Sequence, residues 1–167
     1  MLDFYEKVYF AELDRKSKIQ TALAFPIGIS VVGISAFRFA LENVVIQSKC
    51  DYIVLIPLIP SVVSFIFFLS FAGMFLNPGA YKYLWTLDEF KRHYEELGEF
   101  SKQFPDAPAA DETFKQHLMT DLAKCATHNA LINDKRSEAL YRSHISVFVL
   151  VLFALLSAAM VLIDKIV

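Results

Sequence analysis

The chain reads as an all-α membrane protein with three transmembrane helices, an N-terminal amphipathic helix and a cytosolic helical hairpin. Three observations predict this. Residues 52–76, YIVLIPLIPSVVSFIFFLSFAGMFL, hold no ionisable side chain except the neutral Tyr52. About twenty apolar residues rising 1.5 Å each cross a hydrocarbon core of about 30 Å, so this run is long enough to span. Residues 19–37 and 145–163 have the same character, and 56% of the 167 residues are hydrophobic, high for a soluble domain. A net charge of −2 gives no ground for nucleic-acid binding.

The segment before the first span, residues 1–20, places acids four residues ahead of bases at Asp3/Lys7, Glu12/Lys16 and Asp14/Lys18. That is the favourable order on a helix. Tyr5, Val8, Tyr9 and Leu13 recur at helical spacing. The segment is expected to lie at the membrane interface with its tyrosines at headgroup level, the alternative being packing on the soluble part. Its mixed charges, its long apolar run and the lack of a small-residue cleavage site argue against a secretory signal.

The transmembrane hairpin, residues 21–76, comprises spans at 21–41 and 52–76. Pro26 is expected to kink the start of the first. Gly33, Ala36 and Ala40 form one small-residue stripe and Ala24 and Gly28 another, which predicts close helix packing. Arg38 is the one charge in this run. Two readings stand: it snorkels to the near interface, or it pairs with Glu42 one turn on, facing a wet cavity as a polar element of a pore. A short loop, 43–51, leads into the second span, whose start carries Pro57 and Pro60 and whose body carries Ser61, Ser64 and Ser70. Asn77-Pro78-Gly79 ends it.

Residues 77–143 form the expected cytosolic hairpin. Thr86-Leu87-Asp88-Glu89 is a capping box, after which Leu87, Phe90, Tyr94 and Leu97 keep helical spacing. Trp85, Tyr81 and Tyr83 suit the inner interface. Residues 104–110, FPDAPAA, are the linker. After Pro108 neither Gly nor Pro occurs, so one helix is expected from Asp111 through the third span, 144–163, with Phe114, Leu118, Leu122 and Cys125 on its inner face. The helices 87–103 and 111–143 make the hairpin. Residues 80–143 carry nine Lys and Arg and the N-tail four, against Lys49 alone in the short loop and Lys165 alone in the C-tail. Positive-inside bias then puts the N-terminus and the hairpin in the cytoplasm and the C-terminus on the outer side of the membrane.

Candidate chemistry is sparse. Asn129, Asn133 and Arg136 share one helical face beside His128 and Asp134. Amides and a guanidinium in that array can bind an anionic or nucleotide-like ligand or a partner. They can equally fix helix register, or be solvated surface. His117, Asp121, Cys125 and His128 also share a stripe, but zinc needs ligands converging from elsewhere and only His93 is at hand, so no metal is expected. Glu95 and Glu96 read as solvent contacts. No nucleotide loop, dinucleotide turn, HExxH, Gly-x-Ser-x-Gly or Arg/His nuclease pattern occurs, so neither enzyme activity nor a cofactor is expected.

Two stretches resemble a known class. One is Phe4-Tyr5-Glu6-Lys7-Val8-Tyr9-Phe10 with Glu12-Leu13-Asp14-Arg15-Lys16 before the first span. The other is His128-Asn129, Ile132-Asn133-Asp134-Lys135-Arg136-Ser137-Glu138 and Leu140-Tyr141 before the last. Together they resemble small bacterial inner-membrane proteins encoded beside phage-defence genes, where such proteins act as membrane effectors. The resemblance implies an oligomeric effector that disrupts or depolarises the membrane when a cytosolic defence protein or nucleotide second messenger triggers it. The alternative is a non-permeating anchor that recruits a soluble partner through residues 80–143. A transporter subunit is the third reading, weakened by spans that lack acids.

The topology predicts opposite sides for the two cysteines. In intact spheroplasts a membrane-impermeant thiol reagent labels Cys50 and leaves Cys125 unmodified; labelling of Cys125 first inverts the topology.

Overall fold

The computed structural model describes residues 1–44, 53, 55–104, 106 and 108–166, with no side-chain description from 164 onward. The expected loop 43–51 with Lys49 and Cys50, the start of the second span at Tyr52, and Lys165 lie largely outside the described residues, as do Pro105 and Ala107 of the linker. Of the described residues 88% are helical and none lies in a strand. The elements are α1 (Leu2–Ala22), α2 (Ala24–Asn43), α3 (Leu58–Leu76), α4 (Leu87–Gln103) and α5 (Ala110–Ile166). Three helices are long and apolar enough to cross a membrane, in the stretches Leu2–Asn43, Leu58–Leu76 and Ala110–Ile163.

Proline chemistry places two of the boundaries. Pro26 has no N–H to give the carbonyl of Ala22, four residues earlier, and α1 ends at Ala22. Leu23 keeps right-handed helical dihedrals, so the break at this point is a lost hydrogen bond and not a turn. Pro57 is the N-cap of α3, and Pro60 falls in the first turn, where N–H groups have no helical partner anyway. The second apolar helix therefore starts at Leu58, later than the expected Tyr52. The absence of Gly and Pro after Pro108 gives α5 its 57 unbroken residues, about 85 Å of helix.

The chain divides into two compact units. The first is Met1–Ser17 with Gly79–Asp134; the second is Lys18–Pro78 with Lys135–Val167.

In the first unit Tyr9, Leu122, Cys125 and Ala126 form the buried core, with Leu2, Tyr5, Leu13, Leu84 and Leu118 packed around it. The tyrosine side of α1 is thus turned onto α5, while Val8, Phe4 and Phe10 stay exposed. Thr86 caps α4 with both bonds of the capping box in place. Those bonds to Thr86 hold the Glu89 carboxyl below its usual range. Contacts between α4 and α5 run through Phe90, His93 and Tyr94 against Phe114, His117 and Asp111. Leu87, expected on that face, is exposed.

The second unit buries small and large residues together: Ile19, Leu23, Phe75 and Ala139 form one core cluster and Ala40, Leu58 and Val161 another. Its buried positions include Ser30, Ser61, Ser64, Ser143, Ser146 and Ser157, together with Ala40, Ala154 and Ala158. Large apolar side chains such as Phe25, Val31, Ile66, Phe67, Phe148 and Leu155 point outward. Small residues at contacts let helix backbones approach, which is how helices pack where the solvent is lipid. Gly33 is such a point: a Cβ there would stand 3.0 Å from both Leu150 Cγ and Val151 Cγ2. Gly28, on the other small-residue stripe, faces open space, and Ala24 is exposed with it.

Along α5 burial follows a seven-residue step. Leu122, Asn129, Arg136, Ser143, Leu150 and Ser157 are all buried. A period of 3.5 on a helix of 3.6 residues per turn makes such a stripe drift by about 20° per heptad.

Gly33→Val overpacks the contact with Leu150 and Val151, whereas Gly28→Val meets nothing. The first should lower unfolding stability by about 1–3 kcal/mol and the second by clearly less, read as thermal unfolding in detergent.

Candidate functional site

The polar face read from the sequence is occupied by the chain itself. Residues 79–86 belong to neither helix nor strand, so their backbone groups have no ladder of their own to join. Side chains of α5 and α1 meet them instead. The Lys82 N–H donates to Asn129 Oδ1 at 2.9 Å, and Asn129 Nδ2 donates back to the Lys82 carbonyl at 2.8 Å. The carboxamide thus pairs with one residue's backbone as a neighbouring strand would. Imidazole Nε2 of His128 lies 2.9 Å from the Ala80 carbonyl, which only accepts, so His128 is the donor. Cys125 Sγ donates weakly to the Tyr83 carbonyl at 3.7 Å, and the Leu84 N–H reaches the Tyr9 hydroxyl at 3.4 Å.

Asn133 joins three segments of the same unit. Its Nδ2 donates to the Glu12 carbonyl at 2.8 Å and to Glu12 Oε2 at 2.9 Å, while its Oδ1 accepts from the Tyr81 hydroxyl. Both asparagines are 0% exposed. Around them Arg15 bridges to Asp134 at 2.7 Å, a bond that pushes the guanidinium further up while its partial burial opposes the shift. Lys16 donates to the Tyr83 hydroxyl at 2.9 Å and lies 4.5 Å from the Tyr81 ring centre. The amides therefore hold register within the first unit. Arg136, the third residue of the expected face, is buried in the second unit with its guanidinium 5.9 Å from the Phe75 ring centre.

The possible zinc stripe is dispersed. His117 stacks on His93, with Nδ1 and Nε2 2.9 Å apart, Asp121 faces Lys124 at 3.7 Å, and Cys125 and His128 are engaged with residues 80–83. Among the described residues no three His, Cys, Asp or Glu side chains converge on a metal position. Glu95 and Glu96 face solvent and pair with Lys91 and Arg92.

In the second unit Arg38 Nε bonds Glu42 Oε1 at 2.7 Å, so the pair forms although arginine precedes the acid. Both side chains are open, at 76% and 57% exposure. The buried hydroxyls of Ser30, Ser61, Ser143, Ser146 and Ser157 each donate to a carbonyl of their own helix.

Sequence reasoning missed the partner of the asparagines. Residues 79–86 were legible as a non-helical stretch, but nothing in their composition says which helix they lie on. The seven-residue burial step was the readable signal, since it puts Asn129 in line with Leu122.

The chain matches no protein-family model, no curated protein and no solved structure.

Two outcomes follow for the site. Asn129→Leu leaves the Lys82 N–H and carbonyl unpaired, and should cost about 1–3 kcal/mol, as should Asn133→Leu; urea unfolding read by Trp85, the single tryptophan, measures both. Cys125 is buried, and burial raises its thiol pKa. Opening the membrane alone should therefore leave it unlabelled, with denaturant required before it reacts, so the orientation is read from Cys50: its labelling only after the membrane is opened inverts the topology.

Proposed function

We propose that the chain is a multi-pass bacterial inner-membrane protein that works as the membrane effector of an antiphage defence system. The observation that carries the membrane part is the outer face of the second unit, where Phe25, Val31, Ile66, Phe67, Phe148 and Leu155 are exposed on helices long and apolar enough to span. A water-soluble unit of that composition would expose a large apolar surface and associate through it. The N-terminus and residues 79–134 lie in the cytoplasm in this reading, following the distribution of Lys and Arg. The defence role rests on the two stretches that resemble phage-defence membrane proteins.

Within one chain the buried hydroxyls are spent on their own helices, and the open Arg38–Glu42 pair is the polar element left on α2. A polar path therefore forms between copies, which makes the active species a homo-oligomer. The trigger, a cytosolic defence protein or a nucleotide second messenger, acts only by binding the open state more tightly than the closed one. The competing reading, a non-permeating anchor, draws on the same first unit: its buried amides build a stable platform that a soluble partner could use without any opening.

A potential-sensitive dye in cells challenged with phage separates the two. The effector reading expects no depolarisation without the trigger and collapse with it, and Arg38→Ala or Glu42→Ala weakens the response at unchanged protein level. Protection with the potential intact throughout replaces the effector with the anchor.

A further inference from the structure

We infer that the second unit binds one anionic phospholipid in a cleft between the end of α3 and α5. Its phosphate lies between Lys135 and Arg142, and one acyl chain lies along Phe67 and Phe71. The inference rests on the membrane reading above.

Two cavities meet at Arg142. One, of 470 Å³, is lined by Met74, Asn77, Lys135, Glu138 and Arg142 among others. The other, of 320 Å³, is lined by Phe67, Phe71, Ile145 and Ser146 with the same Arg142. The first carries two cations, Lys135 and Arg142, at the rim of a partly apolar lining, and the second is almost wholly apolar, so together they have the two-part chemistry of a phospholipid. Lys135, Glu138 and Arg142 stand three and four residues apart and share one side of α5. Both helices change from apolar to polar here: α3 ends at Leu76, and the apolar stretch of α5 begins at Ile145. The cationic cavity therefore falls at headgroup depth and the aromatic one at acyl depth.

Charge decides the headgroup. Glu138 bonds Arg142 Nη2 at 2.5 Å and holds the guanidinium, which also lies 5.7 Å from the Phe71 ring centre. A guanidinium has five N–H donors, so one bond to an acid leaves the others for phosphate oxygens. Among the described residues no acid pairs with Lys135. Two cations against one acid leave the cleft with a net positive charge, which suits a headgroup with net negative charge over a zwitterionic one. A soluble phosphate would satisfy the same cations while leaving the Phe67 and Phe71 groove uncovered.

The test uses the full chain. Flotation with phosphatidylcholine vesicles first reports membrane association, and a chain that floats with no vesicle overturns the membrane reading itself. Native mass spectrometry from detergent then compares retained phosphatidylglycerol with phosphatidylcholine. One phosphatidylglycerol per chain is expected to persist in preference to phosphatidylcholine. Lys135→Ala and Arg142→Ala should each reduce its retention about fivefold, the worth of one cation at an anionic surface. Phe71→Ala should lower retention of both lipids, Glu138→Gln should raise that of phosphatidylglycerol, and Lys115→Ala, on α5 of the first unit, should change nothing. Equal retention of the two lipids overturns the site, as does indifference to Lys135→Ala. Displacement by millimolar inorganic phosphate or glycerol 3-phosphate reassigns the cations to a soluble anion and overturns the lipid assignment.

Discussion

The first unit depends on the pairing of one side chain with one backbone residue, Asn129 with Lys82. A helix has already used its own backbone groups on itself, so it can satisfy a non-helical neighbour only through side chains. A carboxamide is the one uncharged side chain that offers a donor and an acceptor in the spacing of a peptide group. With Lys82 held, Tyr81 and Tyr83 are delivered to Asn133 and Lys16, and Leu84 reaches the core around Tyr9. A polar residue buried this deeply carries a penalty if any partner is lost, and for that reason it specifies a single register.

The second unit packs in another way. Beside its apolar clusters around Phe75 and Leu58, its helices meet at small residues and at serines. Gly33 against Leu150 shows how little space is left. The buried serines at these contacts satisfy their hydroxyls on carbonyls of their own helices.

Legibility followed the range of the interaction. The capping box at Thr86 and Glu89, the stops at Pro26 and Pro57 and the unbroken run after Pro108 are local, and the sequence shows each of them directly. The helix α3 begins inside the apolar stretch 52–76, at Leu58 with Pro57 as its N-cap, because composition alone does not mark where helical bonding begins. The importance of Asn129 and Asn133 was visible from their spacing, but not their role. Their partners stand 47 residues away at Lys82, and 52 and 121 residues away at Tyr81 and Glu12. The partners of the histidine stripe were hidden for the same reason, since His93 and residues 80–83, distant in sequence, engage His117, Cys125 and His128.

The seven-residue step along α5 bears on how this chain can change length. Inserting one residue in a helix turns everything beyond it by about 100°, so a single-codon insertion between Leu122 and Ser157 would swing one set of buried positions outward. A whole heptad would restore the phase to within about 20°. Length variation in descendants of this gene should therefore collect in the segments before Leu87 and between Gln103 and Ala110, and enter α5 only in steps of seven.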